Sequence, residues 1–263
     1  MTDVYSQADL YCAAFSYPID DDVDWALREC ERQLGRSPGS VIEPMCGNGR
    51  YGAVFVERGI EYLGFDLSKD MLKRAECHAG VKTLLADARD FDCHGQRFDL
   101  GWCPINSIRH LNTPEDLRAH LHCMANHLKE DGLYLVETDL DHMDGVQDRN
   151  NAIEWSTPMP DGTIVKARWG TDRADLANRR SWEFARIERV RGEECLERID
   201  CEYEMLMTTA DDWHEWAQAT GFTIDHVARR IEGGRELLPL TEEMEDHPES
   251  VTLFLRRSHS GMS

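Results

Sequence analysis

The sequence predicts an α/β fold: an open parallel sheet covered by helices on both faces, with a small antiparallel sheet inserted late in the chain. Three observations predict it. Short apolar runs alternate with amphipathic segments as far as residue 141, the glycine-rich stretch EPMCGNGRYG follows an early apolar run, and beyond residue 142 the apolar period drops to two.

The elements follow in order. ADLYCAAFSYP, near the start, reads as a short leading helix. Asp20 to Asp22 then oppose the positive end of a helix dipole, Val23, Ala26, Leu27, Cys30 and Leu34 recur at helical spacing, and Gly35 stops the run. SVIEP is the first strand and leads into the glycines. A helix over Tyr51 to Arg58, a strand IEYLGFD, a helix from Ser68 to His78 capped by Ser68 and a strand VKTLLAD come next. RFDLGWC is the fourth strand. Thr113-Pro114-Glu115 opens a helix to Lys129, Asp131-Gly132 stops it, and LYLVETD is the fifth strand. Strand and helix at this rhythm imply parallel neighbours.

In RIDCEYEML, Ile199, Cys201, Tyr203 and Met205 alternate with acidic residues, the period of a half-buried strand. TIVKARWG, after the turn Pro160-Asp161-Gly162, and SWEFARIERV behave alike. A helix over Thr209 to Thr220 and the strands FTIDHV and SVTLFLRR return to the core. The expected organisation is therefore 1–141 as leading helix and core, 142–208 as inserted sheet, and 209–263 as the end of the core.

Composition excludes several classes. With 50 acidic against 29 basic residues among 263, the net charge of −21 repels polyphosphate backbones, and no basic groove is visible, so no nucleic-acid partner is expected. Nine cysteines without a C-x-x-C pair read as reduced thiols. No leader pattern and no run of 18 apolar residues occurs, so the expectation is a cytoplasmic protein without a membrane partner. His120, Cys123 and His127 meet helical ligand spacing only pairwise, and no metal is expected.

Gly47, Gly49 and Gly52 spell G-x-G-x-x-G, the pattern that cradles a pyrophosphate, but the residues before it fit a diphosphate poorly. Glu43 ends the strand and Pro44-Met45-Cys46 intervene, placing a carboxylate and a wider loop where a diphosphate wants neither. A cofactor end carrying an amine and a sulfonium suits this better. Asp66, 19 residues past Gly47 at the tip of the second strand, can accept both hydroxyls of a ribose diol, and Asp87 with Ala88 ends the third strand where an adenine edge can be read.

Taken in order, VIEPMCGNGR, YLGFDLSKDML, LLADARDF and RFDLGWCPINSIRHL resemble the class I S-adenosylmethionine-dependent methyltransferases. The resemblance implies a Rossmann-like seven-stranded sheet and S-adenosylmethionine as cofactor. It places Gly47 and Gly49 against the methionyl and ribose parts, Glu43 and Cys46 at the loop, Asp66 on the diol, Leu67 and Met71 on the adenine face or in the core, Asp87 and Ala88 at its edge, and Cys103 beside the sulfonium. Pro44, Met45 and Asn48 depart from the family's usual loop residues.

NSIRHL, residues 106 to 111, resembles the matching stretch of amino-sugar N,N-dimethyltransferases and relatives of glycine and sarcosine N-methyltransferases. That implies a small-molecule acceptor, nitrogen rather than oxygen, and His110 as its base, with Asn106 orienting the acceptor or capping the next helix. Arg109 and Arg168 hold an acceptor carboxylate or make salt bridges; Trp169 lines the acceptor wall or fills the core; Tyr11 and Tyr17 close over the site or pack the leading helix. Aminocarboxypropyl transfer or cyclisation with the same cofactor, and a non-catalytic cofactor-binding module, are the alternatives. A homodimer stays open.

Overall fold

The computed structural model describes residues 7–141, 152–232, 234–241 and 250–258. The chain divides into two compact units, 19–143 with 206–263, and 1–18 with 144–205.

The larger unit is built on a mixed sheet. Its first half runs α2 (Asp20–Leu34), β1 (Ser40–Pro44), α3 (Arg50–Glu57), β2 (Glu61–Asp66), α4 (Lys69–Ala75), β3 (Lys82–Leu85), β4 (Phe98–Cys103), a 3-10 turn Ser107–His110, α5 (Pro114–His127) and β5 (Leu128–Thr138). The last part supplies α6 (Ala210–Thr220), β10 (Phe222–Ile231), β11 (Gly234–Leu238) and β12 (Val251–Arg257). The strand order is β11-β10-β12-β5-β4-β1-β2-β3, parallel from β5 to β3 and antiparallel beyond. β11, which pairs with β10, is a strand the sequence pattern does not announce.

The parallel strands read as continuous apolar runs because both faces are covered. Tyr134 and Val136 of β5 join Leu117, Leu121 and Trp213 on one face, while Leu133 and Leu135 join Val23, Trp25 and Phe55 on the other. Helix ends follow their caps: Gly35 at φ 69° ends α2, the Ser68 hydroxyl accepts the Met71 amide, and Thr209 with Asp212 forms a capping box on α6. One boundary differs from expectation. α5 ends at His127, and Asp131-Gly132 lies inside β5 rather than ahead of it. The ladder jumps from Phe98–Leu128 to Leu100–Leu133, and Gly132 folds back so closely that a Cβ there would lie 2.9 Å from the Leu128 Cβ.

The smaller unit is a four-stranded antiparallel sheet, β6 (Ile153–Pro158), β7 (Ile164–Asp175), β8 (Arg180–Arg191) and β9 (Glu194–Leu206), with α1 (Ala8–Ala14) on it. β6 was not foreseen, since its apolar residues barely alternate. The leading helix, expected with the core, belongs here: Leu10, Ala13 and Ala14 bury against Val165, Ala167, Ile187 and Ile199, and the Trp155 indole donates to the Ala14 carbonyl at 2.8 Å. Among the described residues no helix is long and apolar enough to cross a membrane.

Candidate active site

The tips of β1 and β2 hold the glycine loop. Met45, Gly47 and Gly49 all take positive φ, at 54°, 55° and 69°, so the loop turns sharply between strand and helix. Gly49 must lack a side chain, because a Cβ would sit 2.7 Å from that of Ala75 on α4. Gly52 serves packing: its Cβ would meet the Tyr62 ring at 2.3 Å. That ring in turn donates its hydroxyl to Glu43 Oε2 at 2.7 Å.

Glu43 is 2 % exposed, and burial pushes its carboxyl up to about 8 against the opposing hydrogen bond from Tyr62. It lies beneath the loop and holds its proton more tightly than an ordinary glutamate. Cys46 is also buried, extends the strand pairing through its amide to the Phe65 carbonyl at 3.0 Å, and has a thiol that burial raises well above the ordinary range.

Asp66 ties loop to strand. Its Oδ2 accepts the Gly47 amide at 2.9 Å and its Oδ1 the Ser68 amide at 2.7 Å. Beside it Leu67 is 67 % exposed, an apolar side chain left at the strand tip, whereas Met71 is buried and packs beneath Gly47, whose added Cβ would meet the Met71 Cε at 3.3 Å. An exposed leucine next to a backbone-anchored carboxylate suits an adenosine, one edge apolar and the other a diol. The residues present therefore fit the expected group at this tip.

The other three residues expected at the cofactor are held by the chain as follows. The Asp87 carboxylate is taken by Arg89 through its backbone and guanidinium, at 2.6 to 2.9 Å, and that pairing holds it below the usual carboxylate range. Ala88 is buried, and its carbonyl faces His120 Nδ1 at 2.8 Å. Cys103 is fully buried at the end of β4, where burial pushes its thiol to about 12 and Tyr134 hydrogen-bonds it.

Beyond β4, Ile105 and Asn106 take consecutive positive φ of 50° and 59°, a conformation costly for side-chain-bearing residues. Asn106 sustains it. Its Oδ1 accepts the Asp139 amide at 2.7 Å, and its Nδ2 donates to Asp139 Oδ1 and to Ser250 Oγ at 3.0 and 2.9 Å. Of the two fates expected for Arg109, an acceptor carboxylate or salt bridges, the side chain takes the second, though buried rather than at the surface: it is 2 % exposed, Nε donates to the Leu206 carbonyl, and the two terminal nitrogens pair with Asp139 at 2.6 Å and Asp141 at 3.2 Å. Burial forces this, since a guanidinium out of water needs carboxylates around it. His110, half-buried, closes the 3-10 turn that Asn106 and Arg109 anchor.

The remaining expected residues lie in the smaller unit. Arg168 is exposed, pairs with Glu154 at 3.1 Å and covers the Phe184 ring. Trp169 is half-buried, edge-on to Phe15 at 5.7 Å and to Tyr203 at 5.8 Å; Tyr11 stacks on Phe15 at 4.5 Å, and Tyr17 is 41 % exposed.

Sequence reasoning missed the buried partners. Asp139 and Asp141, two carboxylates two residues apart at the tip of the fifth strand, were a readable signal for a buried cation. His120 and Tyr134, 2.8 Å apart and both fully buried, carried none.

An open α/β sheet with a glycine loop, an anchored carboxylate and an exposed leucine at its strand tips defines a nucleoside-cofactor domain of the adenosyl type. Residues 41–132 match the family described as a methyltransferase domain. Residues 41–132 thus carry a methyltransferase domain. Over 99 residues it is 32 % identical to a dTDP-3-amino-3,4,6-trideoxy-alpha-D-glucopyranose N,N-dimethyltransferase of Streptomyces venezuelae, a match covering 37 % of this chain and 41 % of that protein. Among solved structures it resembles DesVI of Streptomyces venezuelae, with TM-score 0.75 and 18 % identity over 98 % of this chain and 100 % of that one. It also resembles S-adenosylmethionine-bound CalS10, an amino pentose methyltransferase from Micromonospora echinaspora, with TM-score 0.73 and 17 % identity over 98 % of each chain. At these identities the structural likeness shows a shared fold.

Proposed function

We propose that the protein transfers a methyl group from S-adenosylmethionine to a nitrogen of a small, sugar-like acceptor. The observation that carries the reading is the pairing, at neighbouring strand tips, of the loop held on Asp66 with a histidine on a braced turn after β4. The curated relative named for an amino-sugar N,N-dimethylation supports nitrogen over oxygen. The methyltransferase names of the relatives support methyl transfer over other sulfonium chemistry.

When bound, the cofactor supplies an activated methyl group, so the chain must chiefly bind, orient and deprotonate. The Gly47 backbone, Asp66 and Leu67 hold the adenosyl part. His110 takes the proton that an acceptor ammonium must lose before its nitrogen can attack, a task suited to an imidazole near neutrality. Asn106 and Arg109 keep the turn in place and act on the acceptor only through it. The nine cysteines, all free, support a reducing, cytoplasmic setting.

The test is turnover with 3-amino-3-deoxy sugar acceptors, free and dTDP-linked, read by mass. S-adenosylhomocysteine and an N-methylated sugar are expected. His110→Ala should lower kcat by about 100-fold or more with cofactor Kd unchanged. Methylthioadenosine as the spent cofactor defeats the reading, and undiminished kcat in the variant removes His110 from the chemistry.

A further inference from the structure

Several carboxylates of the inserted sheet are paired with arginine, and one that is not is buried. Glu154, Glu188, Glu197, Asp200, Glu202 and Glu204 each stand within 4.0 Å of an arginine nitrogen. Glu183 does not. It is 7 % exposed, and among the described residues it has no ion-pair partner. Its bonds are to neutral hydroxyls: Thr171 Oγ1 reaches its two oxygens at 2.9 and 3.1 Å, and Ser181 Oγ donates to one of them at 3.0 Å.

Two hydroxyl protons serve a group with about four acceptor positions, so half its capacity is unspent. Nor do hydroxyls offset a charge, and a buried carboxylate left without a cation costs several kcal/mol. The group that would relieve that cost is a cationic hydrogen-bond donor from outside the chain. The neighbouring surface says what carries it. Thr171 pairs with Glu183 and Trp169 with Ala185, successive positions on one face of β7 and β8. The hydrophobic cluster beneath α1 ends at Trp169 and Cys201, and the Trp169 ring meets that of Tyr203 at 5.8 Å. Aromatic rings beside a carboxylate suit a ring that is apolar on its faces and bears amine and hydroxyl groups on its rim.

We propose that this face of the inserted sheet is a recognition subsite for an amino sugar, with Glu183 accepting hydrogen bonds from its ammonium and hydroxyls and Trp169 and Tyr203 lying under its apolar face. The proposal rests on the amino-sugar reading above and deepens it by naming a carboxylate that recognises the sugar.

The test uses the full chain saturated with S-adenosylhomocysteine and titrated calorimetrically with 3-amino-3-deoxy-D-glucose or its neutral N-acetyl derivative. Wild type should bind the cationic sugar about tenfold or more tightly than the neutral one. Glu183→Gln keeps shape and hydroxyl contacts, so it should melt no lower than wild type, keep its cofactor affinity and lose the preference. Trp169→Leu should weaken both sugars alike, and it serves as the second variant if Glu183→Gln does not fold. Equal binding of the two sugars by wild type, an undiminished preference in Glu183→Gln, or unchanged binding in Trp169→Leu overturns the subsite. Methylation is scored separately by product mass: a sugar bound with that preference but never methylated leaves the subsite standing and removes the N-methyl reading.

Discussion

His120 offers a quantitative test of the third-strand tip. It is fully buried on α5 with Nδ1 2.8 Å from the Ala88 carbonyl and Nε2 2.8 Å from the Tyr134 hydroxyl. A carbonyl only accepts, so Nδ1 carries the proton, Nε2 accepts from Tyr134, and the ring is neutral. Burial agrees, lowering His120 from 6.5 to about 4 against the raising effect of the Ala88 carbonyl. Because the folded value lies below the unfolded one, the unfolded chain binds the extra proton. The stability tied to a neutral His120 is therefore complete above pH 6.5 and lost as pH falls through about 4. Integrated from pH 7 to pH 4, this amounts to about 3 kcal/mol. His120→Asn keeps a donor for Ala88 and cannot titrate. It should cost about 1–3 kcal/mol at pH 7, where Tyr134 loses its bond to the imidazole, yet lose about 3 kcal/mol less than wild type on acidification. Urea unfolding of both proteins at the two pH values gives the difference directly. Equal acid slopes would show that His120 is not held neutral, and the account of this tip would go with it.

Two further outcomes follow from the glycine loop. Asp66→Ala removes the acceptor of the Gly47 and Ser68 amides, and calorimetry should show S-adenosylmethionine affinity falling by about tenfold or more; full affinity would dissociate Asp66 from the cofactor. Glu43 has the opposite linkage to His120: with its carboxyl raised from 4.5 to about 8 by burial, the folded state holds the proton more tightly, and stability falls as pH rises through that window. Glu43→Gln should therefore match wild type near pH 4 and exceed it in melting temperature at pH 9, and a variant that tracks wild type across the range would show Glu43 to be ionised in the fold.

Much of the fold was legible because it rests on local rules. Apolar period, Asp20 to Asp22, Ser68, the Thr113 cap and Gly35 each act within a few residues of themselves, and each produced the element expected of it. The Asp131-Gly132 pair failed as a stop signal because its conformation is set by the Leu128 register against Phe98 on another strand, which no local pattern carries. The glycines announce a tight loop after the first strand, but their division of labour is hidden in the sequence: Gly52 is dictated by the Tyr62 ring across the sheet.

Three of the expected site residues share one feature. Arg109, Asp87 and Asn106 are long or bifunctional polar groups of the type that binds ligands, and a motif shows only that such a group stands at a strand tip. Whether it faces a ligand depends on its nearest opposite partner in space. Arg89 lies two residues from Asp87 and captures it, whereas Arg109 finds Asp139 and Asp141 some thirty residues away. Glu183 shows the converse case: its chemistry is visible only against the six arginine-paired carboxylates of its sheet. At a strand tip, then, a charged residue in sequence is a question about compensation, and the buried group whose charge the chain does not balance is where a ligand's charge is to be sought.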